Sequence, residues 1–215
     1  MIEKIEKEAK KYFEGSSGCH DWSHVERVRK LALIIGKREK ADLFVLEIAS
    51  LLHDIKRKEE IDSKGSFCHA TEGEKEGRMI LDKYNISDKQ KKNICHCIRT
   101  HRFRNNDQPK TIEAKVLFDA DKLDSIGAVG LGRAFLFAGS VGSCKMYTNK
   151  EKEIAKLDKD MTFKEGDSAI LEYEVKLKKI KNMMMTKAGK EIAKDRHNYM
   201  VEFIKRFWLE VKGKK

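Results

Sequence analysis

The chain reads as an all-α protein built as a single domain, on three observations. One proline and 14 glycines in 215 residues leave few places where a helix must stop. No segment sustains the alternation of Val, Ile, Thr and aromatic residues that marks a half-buried strand. Apolar residues recur instead at helical spacing, in segments that begin at capping residues. With 40% hydrophobic and 38% charged residues, the sequence supplies an adequate core and a heavily charged surface.

Residues 2–13 predict a short amphipathic helix through Ile2, Ile5, Ala9 and Tyr12 or Phe13, ended by Gly15-Ser16-Ser17-Gly18. The next helix starts near Asp21 or Ser23, where Ser23-x-x-Glu26 resembles a capping box. Val25, Val28, Leu31, Ala32 and Ile35 form its buried stripe, and Gly36 and Lys37 lie near its end. Asp42 caps a third helix, through Asp54, that is apolar nearly all round, as expected of a central core helix. Its C-terminal end delivers His53-Asp54. Two polar groups buried there are costly unless they are bonded, and a metal would satisfy both.

Residues 56–67 are polar and charged, with a Gly65-Ser66 turn, and predict a loop. Helices follow over 69–84 and from 87 to about 103, then a loop through Asn105-Asn106-Asp107-Gln108-Pro109. Residues 113–138 are helical in pattern, weakened by Gly127, Gly130 and Gly132, glycines that suit close helix packing. Residues 139–165 read as an irregular flap. A segment over 168–184 and a long helix over 186–211 complete the chain. The core is expected at about 20–130 and a C-terminal helical extension at about 168–212.

The formal net charge of +11 favours anionic partners, either phosphorylated small molecules or nucleic acid. Residues 89–110 hold seven basic residues against Asp107 alone, and 181–215 are similarly basic. Neither stretch interleaves aromatics with Arg in the manner of a single-strand binding surface, so nucleic acid is the lesser expectation. No apolar run approaches a membrane span or a signal peptide. The five cysteines (Cys19, Cys68, Cys95, Cys97, Cys144) are odd in number and predict free thiols in a reducing cytoplasm. Cys95-His96-Cys97 lacks the second Cys pair that a zinc motif needs.

His24, the doublet His53-Asp54 and Asp121 are the candidates for chemistry. Imidazole and carboxylate suit a divalent metal of borderline or hard character, and four such ligands leave positions open for water and substrate. Water at such a site can become a nucleophile near neutral pH. Asp121 stands among Asp119 and Asp124, three acids that repel one another unless a cation or basic group intervenes.

The pattern His24…His53-Asp54…Asp121 resembles the H…HD…D signature of the HD-domain metal-dependent phosphohydrolase superfamily. The contexts His20-Asp21-Trp22-Ser23-His24-Val25-Glu26-Arg27-Val28, Leu51-Leu52-His53-Asp54-Ile55 and Asp119-Ala120-Asp121-Lys122-Leu123-Asp124 are similar to those of its small stand-alone bacterial and archaeal members. The resemblance runs through nearly the whole chain and includes Lys176, Leu177, Met184, Thr186, Ala193, Arg196, Met200 and Phe203. It implies an HD-type helical bundle with one divalent metal (Mn, Mg, Ni, Co, Fe or Zn) on His24, His53, Asp54 and Asp121. It also implies hydrolysis of phosphate ester or phosphoanhydride bonds, often in nucleotides.

Within that resemblance Asp54 would both bind metal and orient water. Some superfamily members bind a second metal through histidines near the places of His69 and His101, which are therefore catalytic candidates. Glu72 shares a helix face with His69. Lys122, Arg133, Lys145, Lys176 and Arg102 are the candidate phosphate binders, with Arg104 beside the last. One departure is Glu172-Tyr173, where relatives often carry His-Phe, so no role is carried over to Glu172. The alternatives are a di-iron oxygenase-type enzyme on the same fold and a nucleotide- or nucleic-acid-binding regulatory module. Specificity would come from residues 56–68, 103–110 and 139–167, which carry no recognisable code. Oligomeric state is left open.

Overall fold

In the computed structural model, residues 1–16, 20–63, 66–102, 107–140, 145–157 and 168–215 are described. Their regular structure is helical, and the β pairing among them is an isolated bridge between Lys145 and Ser168. The all-α expectation is met. No helix among the described residues is long and apolar enough to cross a membrane. The chain divides into two compact units, the first made of residues 1–121 and 185–189, the second of 122–184 and 190–215.

The first unit is organised around α3 (Leu43–Leu52). Asp42 starts it by accepting from the Phe44 and Val45 N–H groups at 3.0 and 3.2 Å, which removes two unpartnered donors of the first turn. Its apolar character on every side follows from its neighbours: α1 (Ile2–Lys10), α2 (Trp22–Glu39) and α6 (Asp88–Thr100) all pack on it. Leu46, Ile48, Leu51 and Leu52 are fully buried, each contributing roughly 1.5–3 kcal/mol. At Gly36 a Cβ would lie 2.2 Å from Leu46 Cδ1, so glycine permits the close approach of α2 and α3. Beside them, α5 (His69–Asp82) packs on α6.

Several boundaries differ from expectation for local reasons. The first helix is α-helical only to Lys10 and tightens to a 3-10 turn over Lys11–Phe13. Asp21 caps α2, accepting from Ser23 N–H at 3.0 Å, so Ser23 lies inside the helix instead of forming a capping box. Ser87 caps α6 through the Gln90 N–H. The expected loop over 56–67 contains α4 (Arg57–Asp62), whose Glu60 is buried against α5 side chains. The helical pattern of 113–138 is two helices, α7 (Ile112–Asp124) and α8 (Gly127–Ser140). Gly127 has φ +81°, a left-handed conformation that ends the helical path. At Gly130 a Cβ would sit 2.2 Å from the Ser125 carbonyl, and at Gly132 it would meet nothing within 4 Å. Gly127 and Gly130 thus serve the turn, Gly127 also permitting the close approach of Arg196, while Gly132 packs against nothing.

In the second unit, α9 (Glu151–Ile154) lies inside the segment read as an irregular flap, parts of which fall outside the described residues. Ser168 caps α10 (Ala169–Val175), which packs on α8 and α9 and runs into a 3-10 stretch over Leu177–Met183. The last helix, α11 (Lys187–Val211), begins in the first unit, where Thr186 accepts from the Gly189 N–H at 2.9 Å. Asp119 holds that start: it accepts from the Met185 and Thr186 N–H groups at 2.8 Å and from the Thr186 hydroxyl at 2.6 Å.

Candidate metal centre

Two histidines reach the centre from helix C-termini. His53 is the C-cap residue of α3 and His101 that of α6. The last carbonyls of a helix have no helical partner, and each ring uses one. His53 Nδ1 lies 2.7 Å from Ser50 O, and His101 Nδ1 lies 2.6 Å from Ile98 O. A carbonyl can only accept, so Nδ1 carries the proton and Nε2 keeps its lone pair facing inward. His69 opens α5, and its Nδ1 lies 2.7 Å from Glu60 Oε2, which gives it the same tautomer. His24 comes from the first turns of α2 and Asp121 from α7.

The inward atoms crowd together. Nε2 of His24 and His53 are 3.3 Å apart, and Nε2 of His69 and His101 are 3.1 Å apart. Asp54 stands between the two pairs. Its Oδ1 is 3.0 Å from His69 Nε2 and 3.3 Å from His101 Nε2. Its Oδ2 is 3.6 Å from His24 Nε2 and 3.8 Å from His53 Nε2. Asp121 Oδ1 lies 3.5 Å from His24 Nε2. Two triplets result, His24, His53 and Asp121 on one side and Asp54, His69 and His101 on the other, each with ligand atoms within 4.8 Å of one another.

With Nδ1 protonated on both rings, the unprotonated Nε2 atoms of His69 and His101 face and repel each other at this distance, in a buried place where water cannot separate them. A cation removes the conflict. Ligands at about 2.0–2.2 Å from a divalent metal lie roughly 3.0–3.5 Å from one another, the spacing of the inward atoms. The donor set therefore fits one divalent cation and has enough ligands for two. Imidazole with carboxylate suits Mn, Fe, Co, Ni or Zn, and Mg less closely.

Charge is unevenly spread through the cluster. Burial pulls the His53 imidazole down to about 4, so it stays neutral through the physiological range. His69 goes the other way: burial opposes protonation, but the Asp54 and Glu60 carboxylates beside it carry its pKa above the ordinary value. Burial likewise works against ionised Asp54 and Glu60. The neighbouring imidazoles hold Asp54 well below the usual carboxylate range, and His69 with Arg102 and Arg57 does the same for Glu60.

The structure thus brings His24, His53, Asp54, Asp121, His69 and His101 to one place in the first unit. Glu72 is elsewhere, paired with Lys75 at 2.8 Å on an exposed face. Arg102 Nη1 lies 2.9 Å from both Glu60 oxygens. Of the other basic candidates, all in the second unit, Arg133 is bonded to Asp124 at 2.7 Å and Lys176 to Glu172 at 2.7 Å. Lys145 is exposed and Lys122 partly so; Arg104 lies outside the described residues. The pairing with Lys176 gives Glu172 a local role as the partner of a surface lysine.

The three acids of α7 do not share one cation. Asp119 holds the start of α11, Asp124 pairs with Arg133 and Asp121 faces His24. Glu60 is the residue that the sequence did not single out. Its signal was the spacing Arg57-x-x-Glu60, an i, i+3 pair that puts both side chains on one face of a helix.

Comparison with known proteins places these features in a family. Residues 21–126 match the family model described as HD domain. The chain is 35% identical over 203 residues to the uncharacterized protein YpgQ of Bacillus subtilis (strain 168), covering 92% of this chain and 87% of the relative. The crystal structure of B. subtilis YpgQ in complex with ADP is similar with a TM-score of 0.76 and 31% identity, covering 100% of both chains. An HD-superfamily hydrolase from Bacillus thuringiensis is similar with a TM-score of 0.72 and 31% identity, over 98% of this chain and 96% of that one.

Proposed function

The chain belongs to the HD-domain superfamily, and from that premise we propose that it is a metal-dependent hydrolase of phosphate ester or phosphoanhydride bonds. The proposed substrate is a nucleotide or a related small phosphorylated metabolite. The observation that carries the reading is the Asp54 carboxylate set between two histidine pairs, His24 with His53 and His69 with His101. A divalent cation bound there supplies positive charge for phosphate oxygens and a water acidic enough to ionise near neutral pH.

The residues divide the work. His24, His53, Asp121 and Asp54 Oδ2 would hold one cation, and Asp54 Oδ1, His69 and His101 a second. The carbonyls of Ser50 and Ile98 fix the rings of His53 and His101, so no orientation has to be found when a ligand arrives. His69 and His101 are also the proposed catalytic side chains for a phosphate bound at the centre. In this reading residues 20–130 are the HD core and 168–212 its C-terminal extension. Lys122, Lys145, Arg133 and Lys176 are proposed for non-reacting phosphates, the last two only after leaving Asp124 and Glu172. The net charge of +11 favours anionic ligands, and the ADP complex of YpgQ supports a nucleotide.

The second triplet also favours one other reading, a di-iron oxygenase-type enzyme, because it provides ligands for a second metal. One experiment separates the two. The purified chain is stripped of metal and reloaded in turn with Mn, Mg, Ni, Co, Fe and Zn. Each form is then assayed with nucleoside mono-, di- and triphosphates for release of phosphate or pyrophosphate. Metal-dependent release without oxygen consumption is expected. No release with any pairing of metal and nucleotide contradicts the proposal, and oxygen uptake by the iron form alone would favour the alternative.

A further inference from the structure

His69 differs from the other two histidines of known tautomer in where its proton goes. His53 and His101 end helices and reach the i−3 carbonyl of their own last turn. His69 begins a helix, where the backbone offers N–H groups and no free carbonyl. An acceptor for its Nδ1–H must come from another element. Among the described residues that acceptor is Glu60 of α4, buried to 4% exposure, with Oε2 at 2.7 Å from Nδ1. Arg57 bonds the same oxygen from one turn earlier, and Arg102 Nη1 bonds both oxygens at 2.9 Å from beyond the end of α6. Arg102 Nη1 also lies 2.7 Å from His69 Nδ1, but a guanidinium only donates, so both donors share the one carboxylate.

We infer that Glu60 is the positioning residue of the second triplet: it fixes His69 with Nε2 toward Asp54 and His101, and Arg57 and Arg102 hold it in place. A carboxylate acceptor does more than a carbonyl. It fixes the tautomer and also makes the opposite nitrogen a stronger donor toward a cation. Without it the ring could turn over or take the other tautomer, and Nε2 would no longer be committed inward. Arg102 then acts through Glu60, and not on a phosphate. The inference rests on the two-cation form of the function proposed above.

The test is Mn(II) binding by the metal-free full-length protein, followed by calorimetry and by the electron paramagnetic resonance of the bound ion. Wild type is expected to take two equivalents with a spin-coupled signal, and His69→Ala one. Glu60→Ala should keep the first equivalent near wild-type affinity and weaken the second roughly 10–100-fold, the usual cost of losing such a support. Glu60→Ala made in the His69→Ala background should leave the affinity of the one remaining equivalent unchanged, whereas a merely structural loss would lower it. If Glu60→Ala fails to fold, Glu60→Gln decides by the same comparison, since it keeps the shape and loses the charge. Two equivalents at wild-type affinity in the Glu60 variants, or equal weakening of both, overturns the role of Glu60 alone. A single equivalent in wild type overturns it together with the two-cation reading.

Discussion

At the scale of single residues, Asp119 and Asp121 sit two positions apart on α7 and do unrelated things. Asp119 is fully buried and bonded to Met185 and Thr186, while Asp121 faces His24. Asp119→Ala strands two backbone N–H groups and a hydroxyl, each unmade bond costing roughly 1–3 kcal/mol. It should lower stability in a denaturant titration by more than Asp121→Ala does. Asp121→Ala should instead weaken the first Mn(II) equivalent, with partial rescue by excess metal because other ligands remain. Unchanged metal affinity in Asp121→Ala would remove it from the ligand set. His24, His53, Asp54 and Asp121 were legible in the sequence because each lies in a recognisable motif. The separate task of Asp119 was not, since its partner Thr186 is 67 positions away and nothing local marks the pair.

At the scale of elements, the legible helices are those with a sustained apolar face, such as α2 and α3. α4 was read as loop because six residues, five of them charged, bury almost nothing apolar. Its helix is stabilised by the ion pairs of Glu60, which are tertiary and invisible to periodicity. The break between α7 and α8 was legible only as weakness. Gly127 and Gly132 predict opposite outcomes there. Gly127→Ala forces an L side chain into φ +81°, with Arg196 carbons 3.0 Å from the new Cβ, and should destabilise by about 1–2 kcal/mol. Gly132→Ala adds a methyl in open space on a helix and should stabilise by up to about 1 kcal/mol. Thermal melts of the two variants check this; the same sign for both would mean that the turn is not what Gly127 provides.

At the scale of the whole molecule, the fold brings imidazole and carboxylate side chains from five helix ends or faces to one point. The all-α class and the H…HD…D residues could be read in advance because they rest on composition and on local motifs. The arrangement of Asp54 between two histidine pairs could not, since it depends on where α5 and α6 come together, which no spacing in the chain encodes.

The most direct measurement of the central claim is metal-dependent phosphate or pyrophosphate release by Asp54→Ala beside wild type, with one nucleotide that wild type turns over. Asp54 faces both histidine pairs, so its loss should remove most metal binding and abolish turnover, while circular dichroism shows the helical fold retained. Activity within about tenfold of wild type, a barrier change near 1.4 kcal/mol, would contradict the account.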